Sequence, residues 1–356
     1  MTASSAERLL VYGATGYTGK LVLERAAALG LDVVAAGRNA DKLKEVAAPY
    51  GFETKAVALD DGPRLRALLE DFSAVLHIAG PFSATSEPMV SACLATRTHY
   101  LDVTGEVEVF EAIARRDEEA KNAGIALIPG VGFDVVPTDC LAAHAAARVE
   151  APYRLRLALA GMGGGLSRGT AKTAVESLGD GLTIRRDGIL VKQPSGSLEQ
   201  HFDFGAGPAR AVGMPWGDVS TAFYTTGIPN IEVYFAMSGA LPGMLRASRF
   251  FTPLLRTQVV QDFLKRRVDR LPEGPTEDER SSSRSFILAE VEDGSGEVVR
   301  SLLECPSGYA LTPVAAVEAA LRAARGEAGN GFKTPAMAFG ADFILDLEGC
   351  SRVDLD

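Results

Sequence analysis

Gly13, Gly16 and Gly19, spaced at threes behind the apolar run from Leu9 to Tyr12, are the residues of this chain best placed for chemistry with a phosphate. Glycines at that spacing let the backbone turn sharply and approach an anion with no Cβ in the way. The helix predicted to start near Thr18 then aims unpaired N–H groups and its positive dipole end at the same anion. Taken alone, the pattern reads equally well as a plain glycine turn before a helix. The next strand shifts the balance: LDVVAAG, residues 31–37, is a second short apolar run, so strand, turn, helix and strand form one βαβ unit. An NAD site presents an Asp or Glu at the end of that second strand, whereas a cation suits the 2′-phosphate of NADP. Here Arg38 and Asn39 stand there, with Lys42 one helical turn on, and the expected cofactor is NADP(H). The competing reading has Arg38 capping a solvated helix start, with Asp41 beside it diluting the charge.

A second set of candidates follows the predicted fifth strand, HYLDVTGE at 99–106. Alternation puts Tyr100, Asp102 and Thr104 on one side and Leu101 and Val103 on the other. A carboxylate at that exit, Asp102 or Glu106, can bind a substrate amine or relay a proton. Alternatively, both accept hydrogen bonds from backbone N–H groups of neighbouring turns. Asp134 and Asp139, flanking Pro137 after the sixth strand, carry the same pair of readings, with helix capping by Thr138 or Asp139 as the structural one. Asp60, beside Asp61 at the end of the third strand, either accepts from an adenine amino group or starts the next helix as a cap. His77, inside an apolar strand, reads as a satisfied core residue, while His99 adjoins the candidate site. A Tyr and Lys four apart, which a short-chain dehydrogenase mechanism needs, do not occur.

The elements that must position these residues alternate in type. Strands are predicted at 9–12, 31–37, 55–60, 74–82, 99–106 and 125–128, with helices between, one of them capped by Ser86 and one running 107–123 to Gly124. Apolar strands alternating with amphipathic helices, without hairpins, indicate a parallel sheet covered on both faces. The carboxyl end of the fourth strand, AGPF, falls near the switch point of such a sheet. Past Pro137 the rhythm changes. YRLRLALAG, EQHFDFG, STAFYTTG, NIEVYFAMSG, RSFILAEVED and GEVVRSLLEC have the period of half-exposed antiparallel strands. A helix at 170–181 follows the glycine-rich run 161–165. In the tail, Thr312 and Pro313 are read as cap and first residue of a helix, FKTPAMAFGADFILDLEG as a final strand-like run, and LPEGPTEDERSSSR, 271–284, as a surface loop. The fold expected is α/β: a Rossmann-type domain over 1–150, an α+β substrate or dimerisation domain with a mostly antiparallel sheet over 151–310, and a segment 311–356 packing back on the first domain.

Composition narrows the function. A net charge of −10 across 356 residues argues against a nucleic-acid partner. The four cysteines, Cys93, Cys140, Cys305 and Cys350, lie far apart without metal-ligand spacing, so reduced thiols, no metal and a cytoplasmic setting are expected. Neither a signal peptide nor a spanning segment is indicated. The apolar run 239–260, carrying Arg246, Arg249 and Arg256, has two readings: contact with a membrane surface or acyl chain, or a buried helix with a snorkelling rim.

Together GATGYTG, GRN at 37–39, AGPF at 79–82, YLDVTGE at 100–106, GFDVVPTD at 132–139, GYALTPVAAVEAAL and GFKTPAMAFGADFILDL resemble the saccharopine dehydrogenase-like family, in its trans-acting enoyl reductase branch. The likeness covers most of the chain and thins between 185 and 280. It implies hydride chemistry with NADP(H). By position, Gly13, Thr15, Gly16, Tyr17, Thr18 and Gly19 would line the phosphates, Arg38 the 2′-phosphate, and Gly80, Pro81 and Phe82 the nicotinamide ribose. No constellation matches the amino-acid-binding residues of true saccharopine-forming enzymes. The expectation is therefore an oxidoreductase acting on an unsaturated acyl or lipid-like small molecule, with Asp102, Tyr100, Glu106 and Asp134 as the catalytic candidates. An imine or amino-acid-type reductase, and a nucleotide-binding scaffold without catalysis, are the alternatives. Exposed second-domain strands allow a homodimer.

Overall fold

Leu9–Tyr12 (β1) and Val33–Gly37 (β2) are buried at every residue, as strands covered on both faces must be. They pair in parallel, and with Glu53–Ala56 (β3), Ala74–His77 (β4), His99–Asp102 (β5), Ala126–Ile128 (β6) and Gly331–Phe332 (β15) they form a seven-stranded sheet ordered β15-β6-β5-β4-β1-β2-β3. This is the doubly wound order with one strand added from the tail. The computed structural model describes residues 8–161, 167–176, 181–239, 241–248 and 257–355.

Local chemistry explains the helices between these strands. Tyr17–Ala28 (α1) begins behind Gly16, with no side-chain cap and no acid in its first turn. Asn39 caps Ala40–Ala47 (α2), its Oδ1 accepting from the Lys42 amide at 3.0 Å. Asp61, not Asp60, caps Gly62–Leu69 (α3), which leaves Asp60 exposed. Phe82–Thr96 (α4) starts four residues before the expected Ser86, which is buried within it. The single helix expected over 107–123 breaks into Val107–Ala114 (α5) and Asp117–Ala123 (α6), the latter ending at Gly124 in the left-handed region.

The chain divides into two compact units: residues up to Val136 with Tyr309–Phe343, and Pro137–Gly308 with the residues from Ile344 onward. The boundary thus falls at Val136 rather than near residue 150. Helix Val136–Ala146 (α7) and the turn after it hold second-unit partners: the Asp139 carboxylate accepts from Thr225 Oγ1, and Arg148 donates to Arg300 O at 2.7 Å and Ser301 Oγ at 2.8 Å. The tail is likewise shared, with Gly331–Phe332 in the first sheet and Ser351–Leu355 (β16) in the second.

The second unit contains Pro152–Ala160 (β7), Leu182–Arg186 (β8), Ile189–Gln193 (β9), Glu199–Asp203 (β10), Pro208–Gly213 (β11), Asn230–Ala236 (β12), Arg284–Asp293 (β13) and Val298–Pro306 (β14). Its nine-stranded sheet runs β10-β11-β12-β7-β13-β14-β16, with β8 and β9 attached through β12. Its ladders are antiparallel except β7 with β12, which are parallel. One face is apolar: Leu155, Leu157, Leu159, Ile231, Val233, Ile287, Ala289 and Val291 are buried. The other carries Arg154, Arg156, Glu290, Glu292 and Arg300 as a partly exposed ion-pair ladder.

Several local readings change. STAFYTTG is helix Asp218–Thr226, closed by Gly227 in the left-handed region. Its aromatic and β-branched residues suit a strand by composition, and the segment is helical nonetheless. Pro313 lies inside helix Gly308–Ala324, and Thr312 is engaged elsewhere. After Gly331–Phe332 the final run becomes helix Pro335–Phe339, capped by Thr334. Residues 277–282 of the expected surface loop form a short helix with a Thr276/Glu279 capping box. Most of the glycine-rich run 161–165, and residues 249–256 of the apolar run, lie outside the described residues. Helix Leu241–Ser248 precedes that gap, and its Arg246 pairs with Glu199 at 2.9 Å. No described helix is long and apolar enough to cross a membrane.

Candidate functional site

Each glycine of the first turn serves a different purpose. Gly13 has φ +92°, and a Cβ there would lie 2.7 Å from the backbone of Ile78 and Ala79, so only glycine lets the exits of β1 and β4 close together. At Gly19 a Cβ would lie 2.4 Å from Gly13 O and 2.8 Å from Ala14, which fixes how closely α1 packs on the strand exit. At Gly16, which is exposed, a Cβ would make only an ordinary van der Waals contact, 3.5 Å from Gly13 O. Exposed and uncapped, the α1 N-terminus at Gly16 has the form of an anion seat. Thr15, Tyr17 and Thr18 flank it, half-buried. Tyr17 packs edge-on against Tyr309 of helix Gly308–Ala324, with centroids 5.2 Å apart. Sequence periodicity gave no reason to single out Tyr309.

Arg38 leaves the end of β2 exposed, without a hydrogen-bond or ion-pair partner among the described residues. The Lys42 side chain, also exposed, is in the same state. Burial raises the Tyr12 phenol, on which the charges of Arg38 and Asp60 act in opposite senses, so both stand within electrostatic reach of one ring. That ring is anchored by its hydroxyl, which donates to Val57 O at 2.9 Å. Asn39 is drawn away from this group as the α2 cap.

Carboxylates at the other half of the same edge are tied into the backbone. Asp102 is fully buried: Oδ2 accepts from the Tyr100 hydroxyl at 2.6 Å, and Oδ1 accepts from the amides of Thr104 and Gly130, each at 2.9 Å. Burial pushes Asp102 up to about 6 against the pull of those donors. Its acceptor raises the Tyr100 hydroxyl, already raised chiefly by burial, well above the ordinary phenol value. Glu106 reaches across to α4, its two carboxylate oxygens accepting from the amides of Phe82 and Ser83 at 2.9 Å each. It thereby caps the helix that Gly80 and Pro81 lead into, a role that a residue 24 positions away in sequence gives no periodic signal for. Asp134 is half-buried against Gly105, where a built Cβ would meet its Oδ2 at 3.2 Å, and burial of its carboxyl pushes it up to about 6. Above it, Thr312 Oγ1 accepts from the Phe133 amide at 3.0 Å, so the tail helix fixes the β6 exit.

The histidines stand apart from this chemistry. His77 is fully buried among the rings of Tyr12, Phe82 and Tyr100, burial lowers it to about 3, and neither ring nitrogen has a hydrogen-bond partner among the described residues. It is a core residue, but not a satisfied one. His99 does not adjoin the site: it starts β5 at the opposite edge of the sheet, its Nδ1 accepting from the Ala126 amide at 2.9 Å.

Residues 9–128 match the family described as the saccharopine dehydrogenase NADP binding domain. A putative trans-acting enoyl reductase of Mycobacterium tuberculosis is 31% identical over 192 residues, 50% of this chain and 46% of that one. A trans-acting enoyl reductase of Mycobacterium leprae is 34% identical over 139 residues, 37% of this chain and 33% of that one. The chain thus spans about half the length, or less, of these relatives. In fold, apo saccharopine dehydrogenase (L-Glu forming) of Saccharomyces cerevisiae aligns over 98% of this chain and 100% of that one, with TM-score 0.67 at 12% identity. Homospermidine synthase of Legionella pneumophila, solved in complex with NAD, aligns over 98% and 92%, with TM-score 0.63 at 11% identity.

Proposed function

We infer that this protein, whose residues 9–128 match the saccharopine dehydrogenase NADP binding domain, is an NADP(H)-dependent oxidoreductase that reduces an unsaturated acyl or lipid-like small molecule. The observation carrying the choice of NADP(H) is Arg38, an exposed cation without a hydrogen-bond or ion-pair partner among the described residues, at the position that reads the adenine ribose. An acid there would repel a 2′-phosphate, whereas a guanidinium forms charge-assisted hydrogen bonds with one. The acyl substrate rests on the similarity to enoyl reductases over half the chain.

Bound NADPH supplies the hydride. In this reading the turn at Gly13, Thr15 and Gly16 and the α1 N-terminus at Tyr17, Thr18 and Gly19 hold the pyrophosphate. Arg38 and Lys42 hold the 2′-phosphate, and Asp60 the adenine amino group. Gly80, Pro81 and Phe82 flank the nicotinamide ribose, with Glu106 fixing the start of α4 behind them. Saturating a carbon–carbon double bond also needs a proton. Of the four carboxyl and hydroxyl candidates, Asp134 fits that part best. Asp102 and Tyr100 are fully buried and Glu106 caps α4, whereas Asp134 is partly exposed at the same sheet edge. The Asp134 carboxyl, raised by burial to about 6, is protonated in half the molecules at pH ~6 and in about one in ten at pH 7.

Calorimetry with NADPH and NADH tests the cofactor. NADPH is expected to bind ~10- to 100-fold more tightly, and Arg38→Ala to erase that margin, in line with one charged hydrogen-bonding group. Equal affinities in the unaltered protein would overturn the NADP(H) reading, and no heat with either nucleotide would overturn the redox reading. NADPH oxidation should follow addition of enoyl thioesters. Oxidation with cyclic imines alone would move the substrate to the imine class.

A further inference from the structure

Outside the first unit, one pair of side chains with reactive chemistry is brought together by strand register. In the β14–β16 ladder Arg300 faces Leu355 and Glu304 faces Ser351. Continuing that register by one step sets Cys350, just before the strand, opposite Cys305, and the charge of Cys350 acts on the Cys305 thiol. The chain still runs beside β14 at Gly349, where φ is +79° and a Cβ would lie 3.2 Å from Cγ of Pro306. The Cys350 amide donates to Leu347 O rather than across the ladder, as in a pair without mutual backbone hydrogen bonds. Directly opposed residues in an antiparallel ladder have Cβ atoms ~4.5–5.5 Å apart and come closer in such pairs. A disulfide spans ~3.5–4.5 Å between Cβ atoms.

We propose that Cys305 and Cys350 form a thiol pair that closes reversibly to a disulfide on meeting a disulfide oxidant such as oxidised glutathione. Cys350 is half-buried and Cys305 fully buried, so Cys350 reacts first. Its thiolate attacks one sulfur of oxidised glutathione and one glutathione thiolate leaves. The Cys305 thiolate then attacks Cys350 Sγ and expels the second. Two protein S–H bonds and one glutathione S–S bond become one protein S–S bond and two glutathione thiols.

Burial pushes both thiols up, Cys350 to about 12, while the Arg284 guanidinium acts on both in the opposite sense. Closure is therefore slow, and what singles out this pair is its placement by strand register. Its consequence follows from topology. The chain passes into the first unit after Gly308 and returns at Ile344. A Cys305–Cys350 bond ties together the two ends of that excursion, which carries β15 and the helix bearing Thr312.

The test incubates native protein with oxidised glutathione, quenches it in acid, and alkylates after unfolding. Two of the four thiols should disappear, a Cys305–Cys350 cross-linked peptide should appear, and amide exchange in Ser351–Leu355 should slow ~10-fold or more, all reversed by dithiothreitol. Cys350→Ser should keep its three remaining thiols. A full thiol count after prolonged exposure overturns the proposal. So does a lasting glutathione adduct on Cys350 with Cys305 still alkylated. Both are read on the unaltered chain, whether or not the variant folds.

Discussion

At the exits of β2 and β3, Arg38, Lys42 and Asp60 stand exposed, their side chains without hydrogen-bonded partners among the described residues. At the exits of β5 and β6, Asp102 is fully buried, and it and Glu106 are each bound to backbone amides. The two halves of one sheet edge thus hold charge in opposite ways. An exposed cation keeps its field for something not yet bound, at the cost of solvent screening. A buried carboxylate has spent its acceptors on the turns around it, so its removal is felt by the fold first. Binding determinants and positioning determinants should therefore respond to different experiments.

The strongest way to break this comparison is at Asp102. Asp102→Ala strips the acceptor from two buried amides and one buried hydroxyl, and should cost about 3 kcal/mol or more in urea unfolding. Asp102→Asn keeps an oxygen for the amides and offers Tyr100 a donor, so it should fall within about 1.5 kcal/mol of the parent. If Asp102→Ala were as mild as Asp102→Asn, the bracket role would fail. Full folding with lost turnover in Asp102→Asn would show that the carboxylate takes part in the chemistry as well.

Asp134 is expected to divide along the other axis. Asp134→Asn should lower kcat ~100-fold, the low end for losing a general acid, and leave NADPH affinity unchanged. In the parent, kcat should decline as pH rises above about 6, because the acid form is lost there. Stability has its own pH signature. Asp102 and Asp134 are both raised to about 6 in the fold, from ~3.9 in an unfolded chain. Each binds its proton more tightly when folded, so the stability it contributes is complete below ~4 and is lost as pH climbs to about 6. A urea midpoint that rose over this window would contradict the burial of both.

What could be read ahead from the sequence follows the same division. The turn and helix start at Gly13, Gly16 and Gly19 and the strand end before Arg38 were legible because each is defined by residues close by in sequence. The parallel sheet was legible from buried apolar runs at helix-length intervals. Glu106 capping α4, Thr312 holding the Phe133 amide and the Tyr17–Tyr309 contact were not, because each joins residues distant in sequence through one atom or ring. STAFYTTG misled because its aromatic and β-branched residues suit a strand by composition, and packing decided for the helix. Asn39 was legible as a residue at the right place but not in its role, since a cap and a ligand contact call for the same side chain at the same turn.

The finest test compares Lys42 with Asp102 across salt. Lys42→Ala removes one exposed charge near the predicted 2′-phosphate and should weaken NADPH only ~2- to 5-fold in low salt, consistent with a solvent-screened cation. Raising the salt to ~0.5 M should bring Lys42→Ala and the parent together, because the Debye length then shrinks to a few Å. The Asp102→Ala deficit in urea should barely move, since those hydrogen bonds lie where ions do not reach. NADH affinity should be the same in Lys42→Ala and the parent at every salt concentration. A salt-insensitive loss at Lys42, or an equal loss for NADH, would mean that this lysine shapes the α2 helix start rather than meeting a phosphate.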